Sequence, residues 1–196
     1  MISESGIAND LYKMFHVLFG GLKGGLAIGT MFMMVAISAM NGLSVAGMAI
    51  GATIALPEML KRNYDKRMIT GVVQAGSSLG ILIPPSVVMV LYGMIARQPV
   101  SKLWMAGILP GLLMASLFLI YIYVRCKLQP ELGPPLKKEE REVSTVEKIR
   151  LLKAGVIPFL IFFFMTGLFL MGIASLVECS AVGAFLATLA AIYKRR

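Results

Sequence analysis

Long apolar runs alternate with short polar or basic stretches along the chain, and each run reads as a helix. The first stretch, 1–23, is mixed. Leu11, Met14, Phe15, Leu18 and Phe19 recur at helical spacing, with Asn9, Asp10, Lys13 and His16 between them. That pattern predicts an amphipathic helix, lying at a membrane interface or packed beside a bundle. Residues 24–60 then carry no charge until Glu58, and the run Met40-Asn41-Gly42-Leu43-Ser44 at their centre signals a turn. Each limb, 24–40 and 44–60, gives about 25 Å of helix, slightly short of the roughly 30 Å bilayer core. Two readings stay open: a pair of spanning helices, or a helical hairpin that enters and leaves by the same face. In the hairpin, Asn41 and Ser44 reach mid-membrane depth. A bare amide or hydroxyl there must find partners, which favours a buried ion or substrate site.

The run 74–92 is almost wholly apolar, yet Gly80, Pro84 and Pro85 cut it in the middle. As one straight helix, 68–96 would be roughly 43 Å long. Pro85 lacks an N–H and disfavours helix at Pro84, which in turn disfavours helix at Ile83. Two half-helices are expected, 68–82 and 86–96. Broken backbone inside hydrocarbon is tolerated where protein covers it or it lines a cavity, and discontinuous helices are where secondary transporters hold ions and substrates. A proline kink that only shapes packing is the other reading.

The remaining segments fix an orientation. The basic loop 61–67 belongs in the cytoplasm by the positive-inside rule. The broken segment runs outward to 97–99, and 103–124 returns, with Trp104 and then Tyr121 and Tyr123 expected in the two interfacial aromatic belts. Pro110-Gly111 predicts a kink or close packing there. The polar stretch 125–153 reads as a cytoplasmic connection, its charge run 137–142 solvated. Residues 156–170 go outward and 182–191 come back to Lys194-Arg195-Arg196. Between them Glu178 is a lone carboxylate with two readings: a functional membrane carboxylate, or an exposed charge at a helix N-terminus.

Composition fits this picture. Of 196 residues 58% are hydrophobic and 15% charged, with a mean hydropathy of +0.81; soluble domains are nearer a quarter charged. The formal charge of +9 comes from residues at segment ends, which suits topology signalling and lipid headgroups rather than nucleic acid. Cys126 and Cys179 lack metal spacing and are expected as free thiols. His16, the only histidine, has no assigned role. Because the first apolar run begins well inside the chain, no cleavable signal peptide is expected. No catalytic residues are proposed: HExxH and a Walker loop are missing, so an enzyme is not expected.

Several blocks, in order, carry a resemblance: GGLKGGLAI (20–28), IALPEMLKRNYDKR (54–67), GSSLGILIPPSVVMVLYG (76–93), AGILPGLLMA (106–115) and GIASLVECSAVGA (172–184). Over nearly the whole chain these resemble the large membrane subunit, DctM-type, of tripartite ATP-independent periplasmic (TRAP) transporters. The resemblance implies an all-α integral membrane protein: a helical hairpin plus a Pro-Pro-broken transmembrane helix, forming half of an elevator-type transporter. It implies a multi-pass permease of the bacterial inner membrane that takes up small, dicarboxylate-like organic acids with sodium as coupling ion and no other cofactor. The implied partners are a small membrane subunit and a periplasmic substrate-binding protein, with no nucleic acid. The ion and substrate residues it implies are Asn41, Gly42, Leu43 and Ser44 at the hairpin tip, with Ser77, Ser78, Gly80, Pro84, Pro85 and Ser86 at the break. Carbonyls freed by the break, helped by hydroxyls, would ligate a hard cation, and helix N-termini would favour a carboxylate nearby.

Three departures accompany it. Asn41 and Leu43 stand in a tip that the family makes richer in Gly and Ser. Ser175-Leu176-Val177 replaces the family's Thr-Pro-Thr, while Glu178 is retained. Family members are about twice this length, so a fragment of such a permease is expected, arranged as an interfacial helix (1–23), a transport region (24–125), a cytoplasmic linker (126–153) and further transmembrane helices (154–196). A non-transporting membrane scaffold, or an inactive fragment of such a permease, is the alternative.

Overall fold

A computed structural model describes residues 7–135 and 145–194, and the described residues contain helices and no strand. In chain order they are α1 (Ile7–Phe19), α2 (Gly25–Asn41), α3 (Ser44–Lys61), α4 (Lys66–Ser78), a 3₁₀ turn (Leu79–Ile81), α5 (Val87–Ala96), α6 (Val100–Leu128), a second 3₁₀ turn (Pro130–Leu132), α7 (Thr145–Leu170) and α8 (Leu176–Lys194).

Most of the bundle is arranged on α2. Its sequence is apolar all round, and a helix without a polar face is covered on every side. Helices α1, α3, α4, α6 and α7 all touch it. Leu26, Met31, Met33, Met34 and Ile37 are each at most 1% exposed. In lipid, helices associate through close packing rather than release of water, and small residues make the approach possible. Here a Cβ added at Gly51 of α3 would lie 2.6 Å from Met34 Sδ, and one at Gly76 of α4 would lie 2.5 Å from Met34 Cβ. The amphipathic α1 turns Leu11, Met14 and Phe15 inward. Phe15 and Phe19 stack on Phe32 of α2 with ring centroids 5.7 and 5.0 Å apart, and α7 closes over its other side. It is a packed member of the bundle.

The α2–α3 hairpin is closed at its tip by Gly42, whose φ of 64° suits only glycine comfortably, and whose N–H donates to Ser38 O. At the opposite end its two feet are tied down. Gly24 N–H donates to Gly133 O at 2.9 Å, and Asp65 N–H donates to Leu132 O at 3.3 Å. Leu26 N–H donates to the Tyr64 hydroxyl at 3.3 Å. Burial pushes that hydroxyl well above the ordinary tyrosine range, so it stays protonated. Asp65 then caps α4, accepting from Arg67 N–H at 2.9 Å and Met68 N–H at 3.1 Å.

Helix α6 is long and apolar enough to cross a membrane by length and composition, and Leu109, Leu113 and Leu117 lie exposed along it. It continues through Pro110 to Leu128, past the expected end at 124. Likewise α7 starts at Thr145, inside the stretch read as a polar connection. Long basic side chains allow the extension of α6, because their apolar stems can lie along a helix while the charge reaches water. Ser175 and Glu178 form a capping box at α8. Glu178 Oε2 accepts from Ser175 N–H at 2.7 Å and from its hydroxyl at 2.8 Å, and Ser175 Oγ accepts from Glu178 N–H at 3.3 Å. Glu178 is thus the exposed N-terminal charge of a helix. Both cysteines are free thiols.

Candidate functional site

The tip of the hairpin meets the break between α4 and α5. The sequence dictates the break. Pro84 and Pro85 have no N–H to give, so the carbonyls of Gly80 and Ile81 lose the donors that an unbroken helix would supply. Helix α4 tightens into the 3₁₀ turn, where Leu82 N–H and Ile83 N–H both donate to Leu79 O, at 3.0 and 2.8 Å. The Pro84–Pro85 peptide is cis. Ser86 then restarts the helix, its Oγ accepting from Met89 N–H at 3.3 Å.

One backbone bond joins the two elements: Val87 N–H, at the first turn of α5, donates to Gly42 O at 3.1 Å. A Cβ at Gly42 would lie 2.6 Å from Pro85 O, so only glycine lets the tip approach this closely. A second contact lies beneath the first. Ser38 of α2 is fully buried between Gly80 of the 3₁₀ turn and Gly47 of α3. A Cβ at Gly80 would stand 2.6 Å from Ser38 Cβ and 3.0 Å from Ser38 O. The Ser38 hydroxyl finds no hydrogen-bond partner. A buried hydroxyl left so is costly, on the order of 1–3 kcal/mol, and is therefore worth an explanation.

The residues expected at the site divide. Gly42, Ser77, Gly80, Pro84, Pro85 and Ser86 are buried at the junction. Ser77 Oγ donates to Gln74 O at 2.9 Å within its own helix. Asn41 and Ser44 are half-buried at the rim, and Asn41 Nδ2 donates back to Ile37 O at 2.9 Å. Leu43 and Ser78 are exposed; Ser78 opens onto the outer face of α4 beside Thr70 and Gln74. Among the described residues no group of three or more His, Cys, Asp or Glu comes together. The oxygens gathered at the junction belong to carbonyls and hydroxyls. Such neutral oxygen donors suit a hard cation of low charge.

Two features went unread in the sequence. Ser38 was one; its signal was a single hydroxyl in the apolar centre of α2. Trp104 was the other, and its expected place in an interfacial belt is corrected. It is 4% exposed, its Nε1–H donates to Ser86 O at 3.3 Å, and its ring meets Phe169 edge-on at 4.7 Å. The indole N–H is satisfied inside the bundle, sharing Ser86 O with the N–H of Val90, rather than at the interface. Gly107 and Gly111 of α6 allow the approach, since a Cβ at the first would lie 2.6 Å from Leu82 O and one at the second 2.9 Å from Ile83 Cγ1. Pro110-Gly111 marks close packing against the break.

Comparisons with known proteins show the family of the chain. The family model described as "Tripartite ATP-independent periplasmic transporter, DctM component" matches residues 1–196. The C4-dicarboxylate TRAP transporter large permease protein DctM of Pseudomonas aeruginosa is 34% identical over 65% of this chain and 30% of its own length. The ectoine TRAP transporter large permease protein TeaC of Halomonas elongata is 33% identical over 60% of the chain and 27% of its own. The 2,3-diketo-L-gulonate TRAP transporter large permease protein YiaN of Escherichia coli is 29% identical over 95% of the chain and 43% of its own. The chain thus matches less than half the length of each of these relatives, which are named as permeases for different substrates. With the family model matched from end to end and the helical hairpin set against a broken helix, the chain belongs to the DctM component family of tripartite ATP-independent periplasmic transporters.

Proposed function

We propose that the chain is a permease component for sodium-coupled uptake of small organic acids, and that the junction of hairpin tip and Pro-Pro break is half of its ion and substrate site. The observation that carries this is the unpartnered, fully buried Ser38 hydroxyl beneath the bond that ties Gly42 to Val87. A sodium ion ligated there would take oxygens from Ser38 and from the carbonyls of Gly80 and Ile81, with Asn41 and Ser44 at the rim facing the substrate. The N-terminus of α5 adds a partial positive charge that favours a carboxylate.

The contact between the hairpin tip and the break supports a re-entrant hairpin over two spans. The tip stops at the level of the break, and α5 continues beyond it for about 15 Å. Tip and break then meet inside the membrane, where secondary transporters bind. On this reading the protein is multi-pass in the bacterial inner membrane. It works as an elevator with a small membrane subunit and a periplasmic binding protein, and the rest of the site comes from sequence matching the remainder of its relatives. The name of the Pseudomonas relative supports a dicarboxylate-like substrate, while other relatives are named for ectoine and 2,3-diketo-L-gulonate.

The test is thermal stability of the purified chain in detergent, in sodium against potassium at constant ionic strength. A ligand at a hundredfold excess over Kd stabilises the folded state by about 2.7 kcal/mol. A sodium-specific rise that Ser38→Ala removes and Ser78→Ala leaves intact supports the half-site. Equal stability in the two ions refutes it, and leaves the scaffold reading.

A further inference from the structure

Helices α4 and α6 both lean on α2 but scarcely meet each other. Between them runs a groove of about 660 Å³. Its floor is buried and apolar, with Met31, Val72 and Ile122 each at most 3% exposed. Its rim is open: Leu117 is 52% and Tyr121 62% exposed. One end is charged, and the helices run in opposite directions so that Arg67 from the start of α4 and Arg125 from the end of α6 both line it. Neither arginine has an ion pair among the described residues. Asp65, the carboxylate among the described lining residues, accepts through Oδ1 from the N–H groups that it caps, and the two arginines leave this end net positive. From Arg67 to Ala75 along α4, and from Arg125 to Leu117 along α6, the groove runs about 12 Å, most of the roughly 15 Å depth of one leaflet.

We propose that this groove seats one anionic phospholipid, its acyl chain along α4 and α6 and its phosphate held by Arg67 and Arg125. A channel with an apolar length and a mouth that is net positive, two arginines against one carboxylate, is complementary to a lipid that has one negative headgroup. Arginine suits the phosphate because its planar guanidinium gives two parallel hydrogen bonds. A zwitterionic headgroup would bring its own ammonium against the same two cations. The proposal rests on the membrane reading and is independent of the sodium site.

Gly71 gives a clean test. It lines the groove, and a Cβ added there would have nothing within 4 Å. Gly71→Leu therefore fills the groove without displacing a neighbour. The full chain in mild detergent is titrated with phosphatidylglycerol or phosphatidylethanolamine of identical acyl chains, and retention is read by native mass spectrometry with thermal stability alongside. Phosphatidylglycerol is expected to be preferred by on the order of fivefold for each arginine. Arg67→Gln with Arg125→Gln should abolish that preference, and Gly71→Leu should remove retention of either lipid while the chain stays folded. Equal retention of the two lipids by the wild type overturns the proposal, as does a preference that survives both variants. Glycerol phosphate producing the same stabilisation would also overturn it, because the ligand would then be a free phosphate. A sodium response measured in the same lipid-free samples separates this failure from failure of the half-site.

Discussion

Gly42→Ala tests the junction with a single methyl group. Three consequences add. A left-handed residue other than glycine costs about 1–2 kcal/mol, and Gly42 has a φ of 64°. The new Cβ would lie 2.6 Å from Pro85 O, so tip and break must separate by several tenths of an ångström. The Val87 N–H to Gly42 O bond, 3.1 Å long, is then lost at about 1 kcal/mol. Stiffening of the unfolded chain returns roughly 0.4–1 kcal/mol. The net expectation is a loss of about 2 kcal/mol. For a chain of this size that lowers the thermal midpoint by roughly 4–8 °C. Gly71→Ala is the matched control: the same substitution at an exposed helical position with open space around it should stabilise by up to about 1 kcal/mol. Midpoints measured by thermal unfolding in detergent should therefore move in opposite directions. If Gly42→Ala matches the wild type or rises with Gly71→Ala, the tip does not rest on the break.

Three other substitutions probe neighbouring contacts. Gly80→Ala inserts a methyl group against Ser38 and should cost about 1–3 kcal/mol, read as a lowered thermal midpoint; Ser38→Ala does not relieve it, because the clash is with Cβ and backbone. Trp104→Phe keeps a ring against Phe169 and removes the hydrogen bond to Ser86 O. It should cost about 1 kcal/mol beyond the loss of ring area, read as a lowered thermal midpoint in detergent. Asp65→Ala removes the cap of α4 and should cost about 1 kcal/mol, whereas Asp65→Asn, still a good cap, should retain most of it.

The boundaries of the hairpin helices were legible because their causes are local, whereas α6, α7 and α8 all extend beyond the expected 103–124, 156–170 and 182–191. The limbs read at 24–40 and 44–60 are found at Gly25–Asn41 and Ser44–Lys61, since Gly42 and the charges after Leu60 punctuate the chain whatever packs on it. The Pro-Pro break was legible for the same reason. Facing was not. Ser77 and Ser78 are neighbours on one helix, roughly 100° apart, and both sit in an apolar run; only the position of α2 makes the first buried and the second exposed. Trp104 illustrates the same point at longer range. Its composition and place near a helix end suit a membrane interface, and what draws it inward is a carbonyl 18 residues earlier in the chain. Ser38 was hidden because a single serine in an apolar helix ordinarily bonds back to its own turn.

The tethered feet of the hairpin set what can travel together. Leu132 and Gly133 are consecutive, and each accepts one of the bonds that anchor Asp65 and Gly24. Gly133 fits so tightly that a Cβ there would lie 2.9 Å from Cys126 Sγ and 3.0 Å from Gly24 Cα. A piston-like excursion of the hairpin would therefore drag the far end of α6 and the turn after it as one solid piece. The basic loop between α3 and α4 is bracketed by these bonds and moves with them, so it is no hinge. Hairpin, loop and the end of α6 make one mechanical unit.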